Sequence, residues 1–106
     1  MPNYRLIVMT NPVEGREQEF NDWYSKQHLS DICKLDHFIS AQRFKVAFPE
    51  GGPHKYCAIY NVEAPSAEAA MGSLMAGIPN MFISDAFDMA SQSSVMVEEL
   101  GPVVSG

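Results

Sequence analysis

A turn-forming block near the middle of the chain, Pro49-Glu50-Gly51-Gly52-Pro53, constrains the fold more than any other feature of the sequence. It separates two runs that are rich in β-branched and aromatic residues, 37–48 and 54–63. Proline cannot donate to a strand ladder and glycine adopts the backbone conformations of tight turns, so both runs should end at this block. We therefore expect two neighbouring antiparallel strands joined by a hairpin.

A helix and a further strand precede this hairpin. Tyr4 to Thr10 is short, apolar and β-prone, and Asn11-Pro12 ends it. In residues 16–29 the apolar and aromatic side chains recur at the spacing of one helical face, which predicts an amphipathic helix. Residues 30–36 are interpreted as a loop or short turn.

A helix and a strand also follow the hairpin. Ser66 is a good N-cap, and Ala67 to Met75 is a strong helix former that should end at Gly77 and Pro79. Residues 80–90 are interpreted as a loop that contains a helical turn. Ser93 to Leu100 completes the pattern as a last strand.

The order strand, helix, strand, strand, helix, strand predicts the ferredoxin-like β-α-β-β-α-β fold, a four-stranded antiparallel α+β sheet with both helices on one face. We expect a single domain over residues 1–106, because a chain of this length has room for one core. The four consecutive apolar residues from Leu6 to Met9 predict that the face without helices is apolar too. Two such faces packed together would make a homodimer, whereas a half-polar outer face would leave a monomer.

Charge and hydropathy limit the partners. The net charge of -6 argues against nucleic acid and against anionic membranes. No run approaches the roughly 20 apolar residues that cross a bilayer. The N-terminal residues lack the basic start and apolar run of a signal peptide, so we expect a cytoplasmic protein.

Residues 12–62 carry a recognisable pattern. An acidic first helix ends in Trp23-Tyr24, three residues intervene, then His28-Leu29-Ser30-Asp31 follows, and the next strand contains Ala41-Gln42-Arg43-Phe44. This pattern resembles the dimeric α+β barrel superfamily and, within it, the EthD-like proteins. The resemblance implies a dimeric α+β barrel. Two positions depart from the pattern, since Ser30 stands where such proteins commonly carry proline and His37 where they commonly carry glycine.

The resemblance is weaker for the reaction. The wider superfamily includes polyketide cyclases, lactone isomerases, dehydratases, cofactor-free quinol oxygenases and haem-handling enzymes. For this chain it raises the weight of a catalytic role at His28.

His28 is the first candidate for catalysis. It shares a helical face with Phe20, Trp23 and Tyr24, so it should point between the helix and the sheet, where an imidazole can move protons. Asp31, three residues on, could accept a hydrogen bond from one ring nitrogen and leave the other as a base. The alternative is that His28 caps the C-terminal end of the helix.

Arg43 is the second candidate, because a mid-strand arginine must find an acceptor. It could bind a substrate carboxylate or enolate oxygen, or it could pair with Asp31 or with an acidic residue of a second subunit. Aromatic and titratable side chains around these two residues could form a substrate-binding pocket or simply belong to the core. These candidate substrate-binding residues are Trp23, Tyr24, His37, Phe44 and Tyr60.

The histidines and cysteines do not have the spacing of metal ligands, so no metal is expected. No phosphate loop is present, and no cofactor is expected, although a single axial histidine for haem stays open. The sequence therefore favours a cofactor-independent lyase, isomerase, cyclase or dehydratase acting on an apolar, oxygenated, aromatic or polyketide-like small molecule. The alternatives are a cofactor-free or haem-dependent monooxygenase and a non-catalytic dimeric binding protein.

Overall fold

The computed structural model describes residues 1–106 and contains one antiparallel sheet of four strands. The strands lie in the order β2-β3-β1-β4, with one helical region between β1 and β2 and another between β3 and β4. This arrangement is the predicted ferredoxin-like α+β fold. The strands are β1 (Asn3–Thr10), β2 (Phe38–Lys45), β3 (Tyr56–Glu63) and β4 (Ser93–Glu98).

The first helical region is longer than predicted. It consists of α1 (Glu17–Trp23), a π-helical turn (Tyr24–His28) and α2 (Leu29–Cys33), which follow one another without a break and are together called the long helix. The prediction of a loop from residue 30 was therefore wrong. Ile32 is buried in the core, and this contact stabilises the extra turn.

The second helical region, α3 (Ala67–Gly77), begins as predicted. The Ser66 hydroxyl accepts a hydrogen bond from the backbone N–H of Ala69 at 3.1 Å, which satisfies one free donor of the first turn. Short 3-10 turns follow at Ile78–Asn80 and Met89–Ser91.

The core lies between the sheet and the helices. Alternate residues of β1, from Tyr4 to Thr10, are buried on this side, as period-two alternation requires. The intervening residues face the opposite side, where Ile7 pairs with Ile59 of β3 and with Val95 of β4. This helix-free side, called the outer face, carries the apolar residues Ile7, Met9, Phe44, Cys57, Ile59, Val95 and Val97. No helix has the length and apolar character needed to cross a bilayer.

Candidate active site

A cavity of about 150 Å³ lies between the long helix, the sheet and α3. Its wall is largely apolar, and the titratable side chains in it come from the long helix and β3. Twelve residues line it: Leu6, Val8, Tyr24, His28, Ile32, Tyr60, Met71, Leu74, Met75, Ile78, Gln92 and Ser94.

His28 lies in this wall and is only 6% exposed. Its Nδ1 is buried without a hydrogen-bond partner, which is unusual because buried polar atoms are normally satisfied. Burial lowers the pKa of His28 to about 4, and the negative charge of Asp31 opposes this only in part. The imidazole is therefore neutral near pH 7 and can accept a proton or a hydrogen bond.

The π-helical turn explains the surroundings of His28. In an α-helix, side chains five residues apart point about 140° away from each other, whereas i→i+5 bonding brings them onto one side. Trp23 and His28 are five residues apart, and their rings stack at 4.6 Å with an interplanar angle of 25°. The edge-on ring of Tyr24, 4.8 Å from the imidazole, completes the aromatic surround.

Two tyrosines of the same wall, Tyr24 and Tyr60, are joined through their hydroxyls. The hydroxyls of Tyr24 and Tyr60 lie 3.0 Å apart and are buried. Burial raises the pKa of both phenols, so both are protonated at neutral pH. A pair of neutral phenols next to an imidazole can donate a hydrogen bond to an oxygen on which negative charge develops.

Arg43 does not reach this cavity. Its guanidinium donates to Asn21 Oδ1 at 2.9 Å and to Ser25 Oγ at 3.1 Å. It also lies over the ring of Tyr24 at 4.7 Å, and over the rings of Phe20 and Tyr56. None of its hydrogen bonds goes to Asp31, so the arginine binds the long helix, and its charge is met by amide oxygens and aromatic faces.

Two expectations about His28 itself are corrected. Asp31 does not accept a hydrogen bond from Nδ1, because that atom has no partner at all. His28 is not a C-terminal cap either, since the helix continues from it to Cys33. The side chain therefore lies mid-helix and points into the core.

Three other candidate residues lie outside the cavity wall. Phe44 pairs with Cys57 on the outer face and is 41% exposed, because strand alternation puts it opposite to Arg43. His37 lies at the bend between the long helix and β2, with φ of 79°. Trp23 packs against two residues of the wall, His28 and Tyr24, from behind, and its indole N–H donates to the Phe82 carbonyl.

The sequence prediction missed the contribution of α3. Met71 and Leu74 of α3 and Ile78 of the 3-10 turn that follows it lie three to four residues apart and line the cavity from the side opposite the sheet. Their spacing is that of one helical face, and this was the sequence signal that could have indicated their contribution. It could not reveal that a space remains between this face and His28.

A larger depression of about 280 Å³ lies at the hairpin between β2 and β3. It is lined mainly by polar and charged residues of both signs, among them Glu17, Lys45 and Lys55. Its histidine, His54, is already bonded, with Nε2 2.7 Å from the Ser91 carbonyl oxygen. This surface lacks the buried, unpaired group that distinguishes the cavity at His28.

The cavity does not suit haem. A space of about 150 Å³ is of the size that accommodates benzene, and a porphyrin is several times larger. No group of three or more His, Cys, Asp or Glu side chains is placed to hold a metal ion.

The chain is similar to solved structures, one of which matches it over almost its whole length. The protein At3g17210 from Arabidopsis thaliana matches with a TM-score of 0.58, covering 96% of this chain and 98% of that chain. The two sequences are 13% identical, so the likeness shows the fold alone. No model of a known protein family matches the chain. No curated protein sequence matches it either.

Proposed function

We propose that this chain is a cofactor-independent enzyme that performs acid–base chemistry on an apolar, oxygenated small molecule. The observation that carries the proposal is His28, whose buried imidazole lies in the wall of an apolar cavity and has no hydrogen-bond partner for Nδ1. An unpaired buried polar group destabilises a fold by about 1–3 kcal/mol, so its presence beside a cavity favours a functional role.

The chemistry follows from the groups in the wall. The imidazole takes a proton from a carbon next to a substrate carbonyl, and the electron pair moves onto the carbonyl oxygen. A hydroxyl of the Tyr24–Tyr60 pair donates a hydrogen bond to that oxygen. The imidazolium then returns the proton to another carbon in an isomerisation, or to a departing hydroxyl in a dehydration. In a cyclisation the enolate attacks a second carbonyl, whose oxygen receives the proton.

The charge balance suits this step. His28 is neutral before the reaction, because burial lowers its pKa to about 4. Negative charge on the enolate oxygen and on Asp31 favours the imidazolium, so the basicity of His28 rises as the proton is transferred. Asp31 thus acts through its charge and needs no hydrogen bond to the ring.

Arg43 is assigned a positioning role. Its guanidinium covers the ring of Tyr24 at 4.7 Å and is held by Asn21 and Ser25 of the long helix. Its positive charge acts to lower the pKa of the Tyr24 phenol, although burial outweighs it. The arginine can therefore fix the ring whose hydroxyl serves the substrate.

A non-catalytic binding protein is the less well supported alternative. That function would not require a titratable group in the wall, and a solvent-exposed His28 would favour it. The burial of His28 at 6% exposure supports the enzyme instead.

We further propose that the chain is an EthD-like protein and forms the homodimer of a dimeric α+β barrel. The motifs of residues 12–62 support this, as does the ferredoxin-like strand order. The outer face supports the dimer, because its centre pairs Ile7 with Ile59 and Val95 and no helix covers it. Two outer faces packed together would remove this apolar surface from water.

The experiment is exchange of α-protons in D₂O. Small ketones, cyclohexanone and acetophenone among them, are incubated with the protein, and loss of the α-proton NMR signal is followed. Wild-type protein should accelerate the exchange, and His28→Ala should lower the accelerated rate by about 10²–10⁴-fold, the usual contribution of a general base.

His54→Ala is the matched control, because it removes a histidine that lies outside the cavity wall. It should exchange at the wild-type rate. Equal rates for wild type and His28→Ala, with both proteins folded, would reject His28 as the base.

A further inference from the structure

We propose that the cavity at His28 takes an uncharged ligand about the size of a single six-membered ring, with one carbonyl or hydroxyl oxygen. This inference rests on the proposed function for the role of His28 and adds the substrate class. It follows from the size of the cavity, the absence of a fixed cation in its wall, and the number of free polar groups.

The volume of the cavity limits the size of the ligand. An apolar space of about 150 Å³ accommodates benzene, and this cavity has that volume with one side open to the surface. A second fused ring, or the long chain of a polyketide, would have to extend out of the cavity. The expectation of a polyketide-like substrate is thereby narrowed to a single ring or a branched chain of the same volume.

The composition of the cavity wall indicates that the ligand is uncharged. Nine of the twelve lining residues are hydrophobic, and none is a lysine or an arginine. Arg43, the nearby guanidinium, is turned towards Asn21 and Ser25. A carboxylate inside the cavity would be buried without a fixed counter-ion. It could gain one only if the imidazole of His28, which burial keeps neutral, took up a proton, so binding of the charged group is disfavoured.

The number of free hydrogen-bonding groups in the wall indicates that the ligand has a single oxygen. Tyr24 and Tyr60 have two hydroxyl hydrogens, and their mutual bond uses one of them. One donor is thus free for a ligand oxygen, and the imidazole of His28 offers the second polar contact. A ligand with several oxygens would leave some of them buried without partners.

The entrance is lined by residues that reach the surface. Met75, Gln92 and Ser94 are exposed and also line the cavity. The flexible side chain of Met75 can move aside to admit a ligand and close over it.

Three probes of matched chemistry test the proposal. Cyclohexanone is neutral and has one ring, cyclohexanecarboxylate has the same ring with a charge, and 2-decalone is neutral with two rings. Binding is followed by the fluorescence of Trp23, the single tryptophan, and by NMR of ¹³C-methyl methionine at Met71. Cyclohexanone should bind saturably, and each of the other two at least about tenfold more weakly.

Two variants locate the binding. Ser94→Phe should fill the cavity from β4 and abolish the response, while Ser93→Phe points to the outer face and should retain it. Met71→Phe, which fills the same space from α3, is the second variant should Ser94→Phe fail to fold.

The outcomes separate the two proposals. Tighter binding of the carboxylate or the bicyclic ketone, no binding of cyclohexanone at millimolar concentration, or unchanged binding in both filled variants would overturn the ligand class. The carboxylate result would leave the role of His28 intact if exchange still depended on that residue. Cyclohexanone binding without His28-dependent exchange would overturn the enzyme and keep the ligand class.

Discussion

His28 opposes folding through its burial and through the missing partner of Nδ1. The charged form is disfavoured in the folded protein, because burial lowers the pKa from the ordinary 6.5 to about 4. As pH falls from 6.5 to 4, the unfolded chain takes up a proton at this residue that the folded chain does not. His28 should therefore reduce the free energy of unfolding by about 3 kcal/mol over this interval.

Urea unfolding of wild type and His28→Phe across this pH interval measures the effect. The phenyl ring keeps the aromatic contacts with Trp23 and Tyr24 and cannot titrate. The stability difference between the two proteins should widen as pH falls and become constant below about pH 4. A difference that does not change with pH would contradict the buried, neutral state of His28.

His37 also reduces the stability of the fold, through the conformation of its backbone. Its φ of 79° lies in the left-handed region, where a Cβ clashes with the following backbone. His37→Gly should raise the free energy of unfolding by about 1 kcal/mol. His37→Ala is the control, because it removes the imidazole but keeps the Cβ and should bring no such gain. Thermal unfolding of the three proteins decides whether the backbone or the side chain matters here.

Sequence spacing predicted the surroundings of some candidate site residues and not of others. The position of His28 on the buried face was predictable because helical periodicity brings it onto the side of Phe20 and Tyr24. The partners of Arg43 were not, since Asn21 and Tyr56 come from elements that meet it only in the folded chain. Phe44 was misplaced for a similar reason, because alternation alone does not say which strand face meets the helices.

At the scale of elements, α3 contains a matched pair of glycines. A Cβ at Gly72 would meet nothing within 4 Å, so Gly72→Ala should stabilise the helix by up to about 1 kcal/mol. A Cβ at Gly77 would lie 2.4 Å from a methyl of Leu35, which packs on the core, so Leu35 must shift. Gly77→Ala should therefore melt at a lower temperature than Gly72→Ala in differential scanning calorimetry. Equal melting temperatures would show that Leu35 moves without cost.

The hairpin and the Ser66 cap were predictable because both depend on local chemistry. Proline and glycine end strands wherever they stand, and a serine hydroxyl satisfies a free N–H of the first turn. The extension of the long helix to Cys33 was not predictable in the same way. The polar residues Ser30 and Asp31 predicted a loop. Burial of Ile32, a tertiary contact, stabilises the helix through these positions.

For the whole molecule, the order of elements was sufficient to predict the fold, because few topologies join two β-α-β units without crossing connections. The cavity was not predictable, since it is a small difference between the volumes of side chains that come from the long helix, α3 and three strands. Periodicity records which residues face the core and does not record how completely they fill it.

Because the outer face is apolar and no helix covers it, we predict that the chain sediments at twice its 11.7 kDa mass. Ile59 lies at the centre of the face, paired with Ile7 and Gln42. Ile59→Lys would bury a charge without a partner in the dimer, so it should shift the sedimentation mass to that of the monomer.

The choice of variants keeps the dimer test decisive. Phe82→Lys is the control, because Phe82 is also a large exposed apolar residue but lies outside the sheet, and this variant should remain a dimer. Val97→Lys, on the edge strand β4, is the milder variant if a monomer of Ile59→Lys does not stay folded. A wild-type chain that sediments at 11.7 kDa at micromolar concentration would disprove the dimer. The outer face would then be exposed to water, and the cavity at His28, which each chain builds from its own residues, would have to work in a monomer.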